Sequence, residues 1–292
     1  MEHHMTAGAA AYEDGEYAEA EVQLEAALEK ANGFGREDPR LVTSLNSLAS
    51  VYQDQGRYAE AELLFERALA ISEKTEGPEH PDVAMVLHNL AGLHRDLGDY
   101  AEAEPLYERA LAIVEKGRGP DHIFMARSLG GLGLVYLHQG RDAEALLLFE
   151  RSLAIQRKAL RPDDPEMATA FNNLALAYHA QGKYDLAESL LKTALTLQEK
   201  SLGPEHPRVA STIYNLAAFY NGQGRYAEAE PLYKRALAIR EKTLGPEHPD
   251  VAASLEGYAI LLSWTGRSAE ATKLEARALT IRVKHAAQNQ LH

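Results

Sequence analysis

Apolar residues recur at spacings of three, four and seven along almost the whole chain, the period of a helix with one face turned inward. Residues 81–98 (PDVAMVLHNLAGLHRDLG) put Leu87, Leu90, Ala91 and His94 on a single stripe. Pro81 suits a first helical turn, where a missing N–H is no loss, and Asp82 favours the positive end of the helix dipole. Gly98 is placed to end that helix with a left-handed residue. The next stretch, from Tyr100 to about Lys116, places Ala103, Tyr107, Ala110 and Leu111 on one face and its Glu and Arg residues on the other. No segment shows the strict alternation of a strand, and Val and Ile are sparse. The pattern predicts an all-α protein.

This two-helix unit repeats. The motif Gly-x-Tyr-Ala-Glu-Ala-Glu starts at Gly15, Gly56, Gly98 and Gly224 and recurs with substitutions at Gly140, Gly182 and Gly266, first after 41 residues and then every 42. A second punctuator, GPEHPDVA at residues 77–84, returns in full at Gly245, with one substitution at Gly203 (GPEHPRVA), and in more altered form at Gly119 (GPDHIFMA) and Arg161 (RPDDPEMA). Units of one size in tandem describe a repeat array rather than unrelated globular domains. The expected organisation is a disordered stretch at residues 1–5, a single array of seven helix pairs over residues 6–284 with the first pair truncated, and a tail at 285–292.

Alignment of the repeats with one another shows what the backbone demands. Seven residues before the turn glycines stand Ala49, Ala91, Gly133, Ala175, Ala217 and Ala259, and five after them stand Ala20, Ala61, Ala103, Ala145, Ala187, Ala229 and Ala271. Small residues in fixed slots let helix axes approach to about 8–10 Å. Leu48, Leu90, Leu132, Leu174, Leu216 and Tyr258 share a large slot that fills the space between them. No pair can bury its stripe alone, so neighbours must stack.

The small–Tyr–small–aromatic–small spacing around a helix-turn-helix resembles the tetratricopeptide repeat. The 42-residue form, with LNxLA, QGxY, EAE, RAL and LGxxHP in register, is similar to the kinesin light chain repeats, and the likeness runs from about Gly15 to about Lys284. The resemblance implies a right-handed superhelical α-solenoid acting as a protein–protein interaction scaffold. It also implies that a peptide or protein segment lies in the concave groove lined by the first helices. Fold likeness of this kind does not name a partner.

Slots 13, 10, 9, 6, 3 and 2 residues before the turn glycine vary between repeats and are expected to line that groove. Ten before are Asn46, His88, Gly130, Asn172, Tyr214 and Glu256; nine before, Asn89, Asn173 and Asn215 match the groove asparagines of the kinesin light chain family. Arg127 stands thirteen before its glycine, and Arg95, His179 and Asn221 stand three before theirs. The candidate site is therefore Asn46, Asn89, Arg95, Arg127, Asn172, Asn173, His179, Tyr214, Asn215 and Asn221. An Asn amide offers donors and an acceptor, so a row of them either pairs with the backbone of an extended peptide or bridges neighbouring helices. Apolar Leu134, Leu176, Ile260 and Trp264 either seat ligand side chains or pack in the core. Arg95 and Arg127 face Asp54, Asp96 and Glu256 along these slots, too few cations for a clamp on a C-terminal carboxylate.

Composition narrows the chemistry. Asp and Glu number 43 against 30 Lys and Arg, and a net charge of −13 argues against non-specific nucleic-acid or anionic-membrane partners. Cys is absent, which removes disulfides, thiolate metal sites and cysteine nucleophiles. No apolar run approaches the roughly 20 residues of a membrane span, and the polar start MEHHM lacks a signal core. A cytoplasmic location is expected. His80, His206 and His248 recur one per loop and are expected to cap the following helix rather than share a metal. The Gly130-Gly131-Leu132-Gly133 run lies inside a helix pattern without a following Lys-Ser/Thr, so it reads as a flexible point or a very close helix contact, not a phosphate loop. Neither catalysis nor a cofactor is expected. The chain is expected as a monomer or weak homo-oligomer, with self-assembly through the solenoid ends as the alternative role.

Overall fold

The computed structural model describes residues 1–35 and 38–289, and every regular element among them is an α-helix. The first compact unit, Met1–Pro162, contains α1 (Glu2–Glu13), α2 (Tyr17–Asn32), α3 (Arg40–Asp54), α4 (Tyr58–Glu76), α5 (Pro81–Leu97), α6 (Tyr100–Arg118), α7 (Ile123–His138) and α8 (Asp142–Ala159). The second, Asp163–His292, contains α9 (Glu166–Ala180), α10 (Tyr184–Leu202), α11 (Pro207–Gly222), α12 (Tyr226–Leu244), α13 (Pro249–Trp264) and α14 (Ser268–Asn289). The sequence pattern reads one array; the structure groups it as four pairs and three.

Two loop types set the pairs. Each turn glycine is left-handed, as at Gly98 (φ 87°), and the residue after it donates its N–H back to a carbonyl in the closing turn (Asp99 to His94, 2.8 Å). Only glycine takes that backbone conformation without strain. At the other loop a side chain caps the next helix. His80, His122, His206 and His248 accept from the backbone N–H two residues on, at 3.3, 3.2, 3.1 and 3.0 Å. Where the histidine is missing, an aspartate does the same: Asp38 accepts from Arg40 at 2.9 Å and Asp164 from Glu166 at 3.0 Å. The expected capping role of the loop histidines is what the structure shows.

Packing follows the slots. Ala49, Ala91, Ala217 and Ala259, and Ala61, Ala103, Ala187 and Ala229 after the turn, have no exposed surface, and Leu48, Leu90, Leu174 and Leu216 fill the space beside them. Within each unit the first helices of successive pairs touch directly (α3 with α5, α5 with α7, α9 with α11, α11 with α13). The second helices reach one another through long side chains, as in Arg109–Glu73 (2.6 Å) and Arg277–Glu241 (2.5 Å). Each unit therefore has a tight layer of first helices and a looser layer of second helices.

The ends depart from expectation. α1 begins at Glu2, inside the stretch expected to be disordered; the His4 ring nitrogen lies 2.8 Å from Gln23 Oε1, and Ser44 donates to the Met5 sulfur. Leu24, packed against Gly8, gives α1 a wall to rest on. α14 runs on to Asn289, through most of the expected tail, and residues 290–292 of that tail lie outside the described ones.

Candidate functional site

The first helices present four slots to the outside of their layer. Thr43, Arg127, Thr169 and Ser211, thirteen before the turn glycine, are exposed, and so are His138, Ala180 and Trp264, two before it. Positions nine and six before lie between these and are mostly half-buried. Position ten does not belong to this face. One residue along a helix turns the side chain by about 100°, which swings this slot from the open face into the seam with the neighbouring first helix.

That rotation corrects part of the candidate set. Asn46 is buried and accepts a hydrogen bond from Asn89 at 3.0 Å, tying α3 to α5. Asn172 is buried and donates to Thr212 of α11 at 2.6 Å, and the Thr212 hydroxyl donates to Gln198 at 2.7 Å. Asn46 and Asn172 thus sit in helix seams and not on the open face, and Asn89 spends its amide on Asn46. Tyr214, half-buried, meets Tyr233 edge-on with centroids 5.6 Å apart and lies under the Arg240 guanidinium. Asn173 and Asn215 remain on the open face of α9 and α11, half-buried, with no hydrogen-bond partner among the described residues.

The other candidates are mixed. Arg127 is exposed, 6.0 Å from the Phe124 ring centroid. Arg95 is held by Asp96 (3.0 and 2.7 Å) and reaches the Tyr107 hydroxyl at 3.5 Å. His179 packs edge-on against Phe219 and tilted on Tyr184. Asn221 meets the Tyr233 hydroxyl, while its own Oδ1 is buried without a partner. Ile260 is 50% exposed and Trp264 71%, whereas Leu134 and Leu176 are half-buried.

A relationship missed from the sequence shapes this face. The residue nine after a turn glycine points at the slot nine before the next one. A Cβ on Gly131 would come within 2.4 Å of Tyr107 Cζ, and one on Gly257 within 2.9 Å of the Tyr214 hydroxyl and 3.0 Å of Tyr233 Cε1. Where the second helix carries Phe65 or Leu191 in that position instead, the residue in the matching slot is Asn89 or Asn215. The Tyr107–Gly131 and Tyr233–Gly257 pairings were visible in the aligned repeats.

Electrostatics differ between the two units. In the first, Tyr12 donates to Asp54 at 2.6 Å and Gln53 to Asp96 at 2.6 Å, so the acids on the face are engaged. His88 has its ring 3.1 Å from the Ser128 hydroxyl and edge-on to Tyr107 and Phe124. Burial, then the nearby Arg127 and Arg95 charges, push its pKa down to about 3. In the second unit the open-face slots of α9, α11 and α13 carry no charged side chain.

Elsewhere the chemistry-bearing residues are structural. The glutamate six residues after the turn glycine reaches the next pair: Glu104 binds Arg141 at 2.7 Å, Glu188 binds Arg225 at 2.6 Å and Glu230 binds Arg267 at 2.7 Å. Glu76, His80 and Asp82 have ligand-type atoms within 4.8 Å of one another. The His80 Nδ1 there accepts from the Asp82 N–H at 3.3 Å, the cap of the helix that follows. Among the described residues no helix is long and apolar enough to cross a membrane.

Comparison with known proteins places this geometry. The sequence profile of the tetratricopeptide repeat matches residues 2–74, 40–116, 82–158, 166–218 and 208–282. Nearly identical TPR-like repeats from the Podosopora anserina kinesin light chain, in a singly substituted form, are 35% identical, with a TM-score of 0.52, covering 70% of this chain and 97% of that one. BtubC (BKLC) from P. vanneervenii is 26% identical, with a TM-score of 0.55 and coverage of 82% and 93%. A Rap protein complexed with competence and sporulation factor shares the fold at 17% identity, with a TM-score of 0.75 and coverage of 96% and 74%. None of the curated proteins compared with the chain matches it. The profile spans both units and the repeat-bearing relative is matched over nearly its full length, so this chain belongs to the tetratricopeptide-repeat family, in its 42-residue, kinesin light chain-like form.

Proposed function

We propose that this protein is a non-catalytic scaffold of the cytoplasm that holds an extended peptide or protein segment on the open face of its first helices. The observation that carries this reading is the pair Asn173 and Asn215, two half-exposed amides on one face with no partner among the described residues. A primary amide offers two donors and an acceptor, the complement of a peptide unit. The neighbouring Asn172, by contrast, donates its amide inside the fold to Thr212. Rap proteins, including the one solved with a Phr* peptide, share the fold and support the same use.

A second reading has an observation of its own. Leu279 and Val283 on α14 are 63% and 60% exposed, while Leu195 and Leu237 at the slot of Leu279 are packed by the following first helix. That apolar strip favours assembly through α14. Mass measured over a wide concentration range separates the two: a monomer throughout removes assembly, and a mass rising with concentration supports it. The scaffold reading is tested by selecting random peptides on the full chain and repeating the binding with Asn173→Ala/Asn215→Ala; peptides bound equally by a well-folded variant would contradict it.

A further inference from the structure

Trp264 is the one tryptophan of the chain, and the fold leaves it 71% exposed. Tryptophan carries a large apolar surface and dominates interface energetics when it becomes covered. It is not isolated. Ala253, Gly257, Ile260 and Trp264 fall at spacings of four, three and four on α13, one helical stripe, and Ile260 is itself 50% exposed. The stripe stands beside the open face of α11, which carries Asn215, and α11 in turn touches α9, which carries Asn173.

The charge pattern around this face decides what fits it. The slots thirteen, nine, six and two before the turn glycine hold only uncharged residues in α9, α11 and α13, in a protein with a net charge of −13. The charged groups that border it are paired with each other. Glu256 takes both bonds of Arg282 (2.5 and 2.7 Å), and Glu166 is 3.4 Å from Arg208. An ionised side chain laid here would lose water without gaining a counter-charge, a cost that neutral groups avoid. Apolar side chains would instead gain by covering Ile260 and Trp264. Backbone amides would find Asn173 and Asn215.

We infer that the face of α9, α11 and α13 binds an uncharged extended segment whose large apolar side chain seats on Ile260 and Trp264 while Asn173 and Asn215 hold its backbone. This rests on the scaffold reading and narrows it to one chemical class of partner. Neither the family fold nor the asparagines alone would exclude an acidic or basic ligand; the absence of charge does.

The single tryptophan makes the test direct. Peptides are selected from a random library on the full-length chain, and the enriched sequences are titrated while Trp264 emission is recorded. Enriched peptides are expected to be poor in Asp, Glu, Lys and Arg and to share one large apolar residue. Binding should shift the emission to the blue and shield it from acrylamide. Affinity should change by less than about twofold between 0.05 and 0.5 M salt, because screening acts on charges. Trp264→Ala should weaken binding by about tenfold or more, as loss of a buried anchor does. Its melting temperature should stay unchanged, because the side chain is exposed. Charged, salt-sensitive peptides that bind Trp264→Ala as well as the parent would overturn the inference and leave the scaffold reading standing. If no peptide is enriched, both readings fall. A blue shift that grows with protein concentration alone would show a second copy on the face and would also overturn it.

Discussion

Gly131 of α7 sits where any Cβ would lie 2.4 Å from Tyr107 Cζ of α6, so the tyrosine ring fills the space of the missing side chain. The Gly130–Gly133 run is thus a close helix contact rather than a flexible point. Gly133 is in the same position toward Phe149, with Cε1 at 2.4 Å.

Gly131→Ala tests that contact. In an ordinary helix interior this change stabilises by about 1 kcal/mol. Here the clash should reverse the sign and cost about 1–3 kcal/mol, the usual range for overpacking. Tyr107→Leu, the residue type that Leu191 supplies opposite an asparagine slot, should remove much of that cost in the Gly131→Ala background. Urea midpoints of the four proteins give the coupling; additive effects would show that the two residues do not touch.

Ala187 and Ala180 make a simpler contrast. Ala187 has no exposed surface, and Ala180 is exposed on the open face of α9. Ala187→Leu should lower stability by about 1–3 kcal/mol. Ala180→Leu should stay within about 0.5 kcal/mol of the parent. Equal melting temperatures would contradict the assignment of faces.

The capping slot accepts two chemistries, His and Asp, in one chain. His206→Ala should therefore cost about 0.5–2 kcal/mol by releasing the Arg208 N–H, whereas His206→Asp should preserve most of the stability because Asp164 does this work in the neighbouring loop. Thermal melts with added Zn²⁺ or a chelator should coincide for the parent protein. A saturable zinc stabilisation lost in the His80, His206 and His248 triple variant would make the loops metal sites.

Acid sensitivity should come in two stages. His88 is pushed down to about 3, below its ordinary 6.5, by burial and then by Arg127 and Arg95. Between those values the unfolded chain binds a proton that the native chain does not, so stability falls as pH drops from about 6.5 toward 3. Glu188 and Glu230 are lowered to about 2, first by the Arg225 and Lys234 hydrogen bonds respectively. A depressed carboxylate contributes stability that is present above its unfolded value of 4.5 and lost as pH falls toward 2. His88→Gln should flatten the decline between pH 6.5 and 5 while leaving the carboxylate stage in place. Stability curves of the two proteins that run parallel across that window would remove His88 from the account.

What was legible in the sequence was local. A left-handed glycine or a capping histidine acts within a few residues of itself, so Gly98 and His80 declare their roles wherever the motif occurs. The helix periodicity and the alanine slots are regular because the same contact is made again in every pair. The open face was harder. Asn172 and Asn173 are adjacent in sequence, but which of them faces the neighbouring helix depends on how the first helices cross, and spacing from the turn glycine does not contain that angle. The pairing of Tyr107 with Gly131 required comparing different helices in adjacent repeats. The boundary at Pro162 falls in the second-type loop where Arg161 replaces the glycine, an alteration visible in sequence whose consequence for the grouping was not.

That adjacent pair of asparagines supplies the sharpest test of the face. Asn172 is buried and bonded to Thr212, whereas Asn173 is half-buried on the open side without a partner among the described residues. Asn172→Ala removes a buried hydrogen bond worth about 0.5–1.5 kcal/mol net, and more if the site cannot close over the missing amide. Its melting temperature should drop, and peptide binding measured well below that temperature should hold. Asn173→Ala loses only water contacts, so its melt should overlay that of the parent within about 0.5 kcal/mol. Its binding should weaken about two- to tenfold, the equivalent of one hydrogen bond. The two variants differ by one position and should fail in opposite assays. If Asn173→Ala melts low and binds normally, the open face has been assigned to the wrong side of α9, and Asn215 loses its proposed role with it.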